Sequence, residues 1–332
     1  MIYRRQFLRG MAGAGAAVLG GHTRRSAAEA PPETTRLRVL TTAGICWAPQ
    51  YIAEELFRTE GFTEVQYVEM AIGGNASDVL AGGEADISMN FVGPNLIRVE
   101  HGVPVVFLAG GHVGCFEVFG GERVRRISDL KGKSAAVTAM GSVDHVFLAS
   151  ITAYVGLDPR KDINWIIREP DEGLTLFAEG KVDAYIGFAP RPQELRARKI
   201  GRVIVNSAAD RPWSQYFCCL IIGNRDFVRK NPVATKRAIR AILKAADLCA
   251  SNPEQTARTL VERKFTPRYD YAVQVMKELP YGKWRAYDPE DTIRFYALRL
   301  HEAGMLTSSP QKLIAQASDW RFLNELKSEL KG

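Results

Sequence analysis

The sequence predicts an α/β protein built as two doubly wound βα lobes followed by a helical C-terminal region. Three observations carry this. Strand-like and helix-like segments alternate from residue 36 to about 207, and repeated βα units imply mostly parallel sheets with helices on both faces. A short pattern occurs twice in the same context: Gly83-Glu84-Ala85-Asp86-Ile87 and Gly180-Lys181-Val182-Asp183-Ala184. In both, Gly caps a helix and Asp enters a strand. From Asn224 onward the apolar spacing is helical throughout.

In the first series, 37–40 reads as a strand, 49–58 as an amphipathic helix, 65–70 as a strand and 76–81 as a short helix. A strand over 85–89, a helix over 94–101 and a strand over 103–108 complete it. The second series has strands at 134–138, 163–167, 182–186 and 202–205, with helices at 142–155, 172–179 and 193–198 between them. Helices over 232–250, 253–264, 269–279, 288–301 and 310–316 follow, and 320–330 is amphipathic. The implied organisation is 1–30 as an export signal, 36–113 as the first part of lobe 1, 114–216 as lobe 2 with hinge strands, and 217–332 as the return to lobe 1 with C-terminal helices.

The chain has 332 residues, 46% hydrophobic and 24% charged, which suits packed domains rather than disorder. Its formal net charge is +7, but Arg4, Arg5, Arg9, Arg24 and Arg25 against Glu29 put +4 of that in residues 1–30. No dense basic cluster with interleaved aromatics marks a nucleic-acid groove. Arg4-Arg5 followed by Phe7-Leu8, a weakly apolar run from Met11 to Gly20 and small residues up to Ala30 read as a twin-arginine-type signal. Cleavage after Ala28 or Ala30 fits, so the mature protein is expected to be soluble, periplasmic and without a lipid anchor. The five cysteines are odd in number and irregularly spaced, which argues against a disulfide framework. Cys218 and Cys219, adjacent in a strand-like run, are expected as buried small hydrophobes on opposite faces.

Several apparent motifs carry no chemistry. Gly132-Lys133-Ser134 lacks the upstream Gly of a P-loop, because position 127 is Ile127, and His301-Glu302 lacks the second His of a zinc helix. No G-x-S-x-G elbow occurs. Asn75-Ala76-Ser77 is a glycosylation sequon of no consequence in a bacterial exported chain. His112, Cys115 and Glu117 lie close together but supply too few ligands for a metal site. No cofactor, metal or catalytic residue is assigned, and the chain is expected not to be an enzyme.

Ligands of open α/β sheets bind beyond the carboxyl ends of the strands. In lobe 1 those loops hold Gly44-Ile45-Cys46-Trp47, Gly73-Gly74-Asn75, Asn90-Phe91 and Gly110-Gly111-His112. In lobe 2 they hold Met140-Gly141-Ser142, Pro170-Asp171 and Phe188-Ala189-Pro190. The candidate binding residues are therefore Trp47, Gly74, Asn75, Asn90, Phe91, His112, Ser142, Asp171 and Phe188. Asn75 and Ser142 also suit helix capping. The three aromatics also suit packing. Arg168 and Arg191 stand only at the margins, which points away from a multiply charged anion.

Trp47-Ala48-Pro49-Gln50-Tyr51-Ile52-Ala53, Gly82-Gly83-Glu84-Ala85-Asp86-Ile87 and Asp129-Leu130-Lys131-Gly132-Lys133 resemble a known set. So do Gly156-Leu157-Asp158-Pro159, Gly180-Lys181-Val182-Asp183-Ala184 and Asn231-Pro232. In this order they are similar to periplasmic solute-binding proteins of the nitrate, taurine and aliphatic-sulfonate ABC importers, whose domain is shared with thiamine-pyrimidine-precursor proteins. The resemblance implies a type II periplasmic-binding-protein fold, with crossover strands near 114–119 and 215–222. It also implies a small solute (a sulfonate, a nitrate-like monoanion, or a pyrimidine or aromatic compound) caught between the lobes by a monomer and delivered to an ABC permease and ATPase. A synthesis enzyme of the pyrimidine branch and a periplasmic sensor subunit are the alternatives. Phe217-Cys218-Cys219 resembles the iron-linked motif of that branch only faintly, because the neighbouring His is lacking.

Overall fold

The computed structural model describes residues 29–42 and 44–330. The signal expected over residues 1–30 lies almost wholly outside the described residues, and the fold is that of the unit from Pro31 onward. The chain opens with Arg36–Thr41 (β1), Ala48–Ile52 (α1), Glu54–Thr59 (α2), Glu64–Glu69 (β2) and Ala76–Ala81 (α3). Ile87–Phe91 (β3), Val92–Glu100 (α4) and Val105–Val113 (β4) follow. Phe116–Gly120 (β5), Lys133–Val137 (β6), Val143–Tyr154 (α5), Ile163–Ile167 (β7) and Pro170–Ala178 (α6) start a second series. It ends with Ala184–Phe188 (β8), Arg191–Ala197 (α7) and Arg202–Asn206 (β9). Phe217–Asn224 (β10) precedes seven helices: Arg225–Lys230 (α8), Pro232–Ser251 (α9), Pro253–Glu262 (α10), Tyr269–Glu278 (α11), Pro289–Glu302 (α12), Pro310–Ala317 (α13) and Arg321–Glu329 (α14).

These elements make two five-stranded sheets, ordered β2-β1-β3-β10-β4 and β7-β6-β8-β5-β9. The fourth strand of each is antiparallel to its neighbours. In each sheet that strand lies on the far side of a chain crossing: β5 joins lobe 2 after β4, and β10 returns to lobe 1 after β9. The expected pair of crossover strands is thus present. Among the described residues no helix is long and apolar enough to cross a membrane.

The crossing is tightly built. Gly114 has φ +65°, and a Cβ there would sit 2.4 Å from Ala208 on the returning segment. Cys115, at φ 152°, takes a backbone conformation that L residues rarely adopt. Ser207 Oγ accepts from the amides of Cys115 (3.1 Å) and Phe116 (2.9 Å), binding the two passages of chain to each other.

Three local expectations are corrected. The helix expected over 49–58 is two helices, tightened at Ala53, where ψ is −1°. Gly110-Gly111-His112 is not a loop but the end of β4, which is longer than expected. A Cβ on Gly110 would meet the Phe217 ring at 2.2 Å and one on Gly111 would meet Met89 Sδ at 2.4 Å, so these glycines serve close strand packing rather than a turn. Cys218 and Cys219 are buried as expected, yet their Sγ atoms and that of Cys115 lie within 4.8 Å of one another. Strict alternation fails there because the β10–β4 register shifts between Phe217 and Cys219 and again between Cys219 and Leu220.

Candidate functional site

A pocket opens between the lobes where the carboxyl ends of the two sheets face each other. Its walls include Cys46, Trp47 and Phe91 from lobe 1, and Cys115, Phe116 and Phe188 at the crossing and in lobe 2. Neither Lys nor Arg lines it. The cavity measures about 40 Å³, room for a few waters and far below the ~300 Å³ of a small-molecule site. The lobes touch at its rim. The Ile45 amide donates to Ala189 O at 3.2 Å, and the Phe188 ring lies against Gly44. A larger groove, about 470 Å³, lies against β4, α8 and the α13–α14 corner. It is away from the strand ends, and its Arg229 and Arg321 are paired with Asp226 and Asp319.

The nine residues expected to bind a ligand divide. Trp47, Phe91 and Phe188 meet in the pocket. Trp47 sits in a short 3-10 turn over Ile45–Trp47 and is only 5% exposed, so it also belongs to the core. Phe91 is an aromatic hub, edge-on to Phe116, Phe147 and Tyr296. Gly74, Asn75, Asn90, Ser142 and Asp171 are not among the lining residues. Asn75 caps α3 by accepting from the Ser77 amide. Asn90 is buried in β3 and accepts from Asn95 Nδ2 at 3.3 Å. Ser142 Oγ donates to Ala139 O at 2.6 Å, and Asp171 pairs with Arg191 at 2.8 Å. Gly74 backs onto Ala71 O.

His112 is fully buried one layer behind the pocket. One of its ring nitrogens and the Sγ atoms of Cys46 and Cys115 lie within 4.8 Å of one another. Nε2 has no hydrogen-bond partner. Burial alone pulls its pKa down, but the thiolate character of Cys219 and Cys46 outweighs that and lifts it to about 10. Cys46 is drawn down to about 7 by its thiol neighbour Cys115 and by His112, against burial. Cys115 and Cys218, 3.3 Å apart, are pushed up by burial. Glu117 has no part in this cluster. It pairs with Arg196, which also holds Glu278 of α11 at 2.7 Å, and burial raises Glu117 to about 7. Sequence reading missed Cys46 and Cys219 as site residues, because only the fold brings them beside His112 and Cys115.

Comparison with known proteins places the chain. A Brucella abortus protein provisionally called a binding protein is 28% identical over 180 residues, 54% of this chain. The match spans 56% of that protein's length. A yeast 4-amino-5-hydroxymethyl-2-methylpyrimidine phosphate synthase (Saccharomyces cerevisiae) is 26% identical over 239 residues, 66% of this chain and 68% of its own. The periplasmic nitrate-binding protein of Synechocystis PCC 6803 shares the fold with a TM-score of 0.78, covering 91% of this chain and 90% of its own at 18% identity. The NMT1-like family model matches residues 30–263, more than half the sequence, and the chain belongs to the NMT1-like family.

Proposed function

We propose that this protein is the solute-binding component of an ABC importer, and that its solute is small, planar and uncharged or weakly charged. One observation carries the reading: an apolar, aromatic pocket at the carboxyl ends of two sheets of identical topology, with walls from both lobes. A solute stacked between Trp47 and Phe188 would gain contacts from both lobes at once, so binding and lobe closure are coupled by hinge motion at the crossing. This pocket's lining offers an oxyanion no cationic partner, and Arg168 and Arg191, in the small lobe 2 cavity that shares Phe188, are paired with Glu172 and Asp171, which favours a pyrimidine or another flat ring over nitrate and sulfonates. A ring-sized solute does not fit 40 Å³, so it enters when the lobes part. In this reading residues 1–30 direct export, the mature monomer works in the periplasm, and the closed form is handed to a permease and its ATPase.

Thermal-shift screening of the mature protein against pyrimidines, aromatic acids, nitrate and alkanesulfonates tests it. A ligand at a hundredfold excess over Kd adds about 2.7 kcal/mol of stability. The expected hit is a flat heterocycle, with affinity lowered about 5–150-fold in Phe188→Ala. Stabilisation by nitrate or sulfonate alone would sink the choice of solute. A second reading, a synthesis enzyme akin to the yeast relative, is favoured by the thiols in the pocket wall, Cys46, Cys115 and Cys219. Chemical turnover of a bound pyrimidine precursor would replace transport with that reading.

A further inference from the structure

We propose that Cys46, His112 and Cys115 form a binding site for one thiophilic divalent cation of the zinc type. The three donors come from three separate places: the turn after β1, the end of β4 and the crossing itself. Their ligating atoms nevertheless lie within 4.8 Å of one another, and all three residues are buried. Zinc–sulfur and zinc–nitrogen bonds of about 2.3 and 2.0–2.1 Å put donors in a tetrahedron about 3.4–3.8 Å apart. The set therefore needs to contract by at most about 1.4 Å to close on an ion.

A second observation points the same way. His112 Nε2 is buried with no hydrogen-bond partner, an unfavourable state for a polar atom in a dry interior. The ring is held edge-on by Tyr281 at 5.7 Å, and the Tyr281 hydroxyl donates to Cys46 O at 3.1 Å, so one side chain steadies two of the donors. Cys115 keeps its rare backbone conformation because Ser207 fixes its amide. Such strain persists only where the surroundings over-determine it.

Charge selects the cation and the triad. Two thiolates, one neutral imidazole and a divalent ion sum to zero, the arrangement a dry interior tolerates best. The other nearby triad, Cys115–Cys218–Cys219, shares Cys115 and leaves a net −1 with three thiolates. Sulfur and imidazole donors select zinc-type ions over magnesium or calcium. Cys46 and Cys115 also line the pocket, so the fourth position of a three-ligand site faces whatever occupies it. None of residues 217–219 is a ligand of this site, and the site is independent of solute import. A protein that binds no solute could still hold the ion.

The test uses reduced, chelator-treated mature protein. Titration with Co²⁺ is expected to give tetrahedral d–d absorption and thiolate-to-cobalt charge transfer that saturate at one equivalent and are displaced by Zn²⁺. X-ray absorption at the zinc edge is expected to show two sulfurs and one nitrogen from the protein. His112→Gln and Cys46→Ser should each weaken Co²⁺ binding roughly tenfold or more. Cys249→Ser, which alters a buried thiol outside the cluster, should leave it unchanged. If a variant fails to fold, the wild-type zinc-edge spectrum decides alone. Absence of a saturable cobalt band, a shell of oxygen and nitrogen only, or a shell of three sulfurs without nitrogen would each overturn the assignment.

Discussion

The two lobes share a strand order but spend it differently. Each places an aspartate at the mouth of its central parallel strand, and each aspartate reaches back to the parallel strand beside it, β1 or β6. Asp86 accepts from the Arg38 amide at 2.7 Å and from the Arg38 guanidinium at 2.6 Å, with only 4% of its side chain exposed. Asp183 accepts from Ser134 N and Oγ, at 3.0 and 2.9 Å, and its outer partner Arg123 is 70% exposed. The loops that follow β1 and β6 differ more. In lobe 1 it is apolar, with Ile45, Cys46 and Trp47 all buried. In lobe 2 it is polar and self-bonded: Asp144 accepts from Thr138 N and Oγ, both at 2.7 Å, while Met140 is 56% exposed. The loop after β1, covered by α11, is therefore buried, and its counterpart after β6 is fastened by hydrogen bonds near the surface.

Trp47→Ala and Phe188→Ala test this most severely. The two side chains face the same pocket, but Trp47 is part of the core and Phe188 is half-buried. Trp47→Ala should cost about 3–5 kcal/mol of stability in the ligand-free protein, the range for emptying a core site. Phe188→Ala should cost about 1–2 kcal/mol and show itself mainly in binding. Urea unfolding of both variants measures the difference. Equal costs would mean that the pocket, not the lobe, sets the energetics.

The anchors come next. Asp86→Ala leaves Arg38 facing a buried carbonyl end with no counter-charge, at a cost of about 3 kcal/mol. That is the low end of the usual range because Arg38 keeps 27% of its side chain in water. Asp183→Ala loses bonds to Ser134 and one exposed ion pair, about 1–2 kcal/mol. If the second variant melts lower than the first, the contrast between the lobes is wrong.

This matched pair was legible in the sequence, because Gly83–Asp86 and Gly180–Asp183 are local patterns with a local cause, a helix stop followed by a strand start. Six of the seven tail helices were legible for the same reason, their period being visible within each segment, while the short α8 was not separated from the run after Asn224. The thiol–imidazole cluster was not. Nothing within a window around Cys46 announces His112, and proximity in sequence offered Glu117, which the fold turns toward Arg196 instead. Gly110 and Gly111 misled in the other direction. Paired glycines signal a turn, but here they make room for Phe217 and Met89 across a strand pair that only the return of the chain creates. The three aromatics that line the pocket were reached through the strand-end rule, while its capping companions are occupied elsewhere: Asn75 caps α3, and Ser142 bonds back to Ala139 in its own loop.

The smallest expected effect concerns the polar loop of lobe 2. His145 is 4% exposed, and its Nδ1 accepts from the Gly141 amide at 3.0 Å, which fixes a neutral ring carrying its proton on Nε2. Burial lowers its pKa below the usual 6.5, with Asp144 opposing. A histidine with a depressed folded-state pKa contributes stability above the unfolded value of about 6.5. As the pH falls below that, the unfolded chain takes up a proton that the folded state refuses, and the contribution is lost down to the folded pKa. Protonation would also convert Nδ1 from an acceptor to a donor and break the bond that closes the 138–142 loop. Between pH 7.5 and 5.5 this group should therefore pull stability down by at most about 1.4 kcal/mol per pH unit, while Glu117, raised to about 7, pulls the other way in wild type and variant alike and cancels in their difference. His145→Gln, which keeps an acceptor but cannot titrate, should lose up to that much less stability per pH unit than the wild type on acidification, whatever constant cost the substitution adds. Urea unfolding of both proteins at the two pH values gives the four free energies required. Parallel pH dependences would show that the loop is held by Asp144 and Ser142 alone.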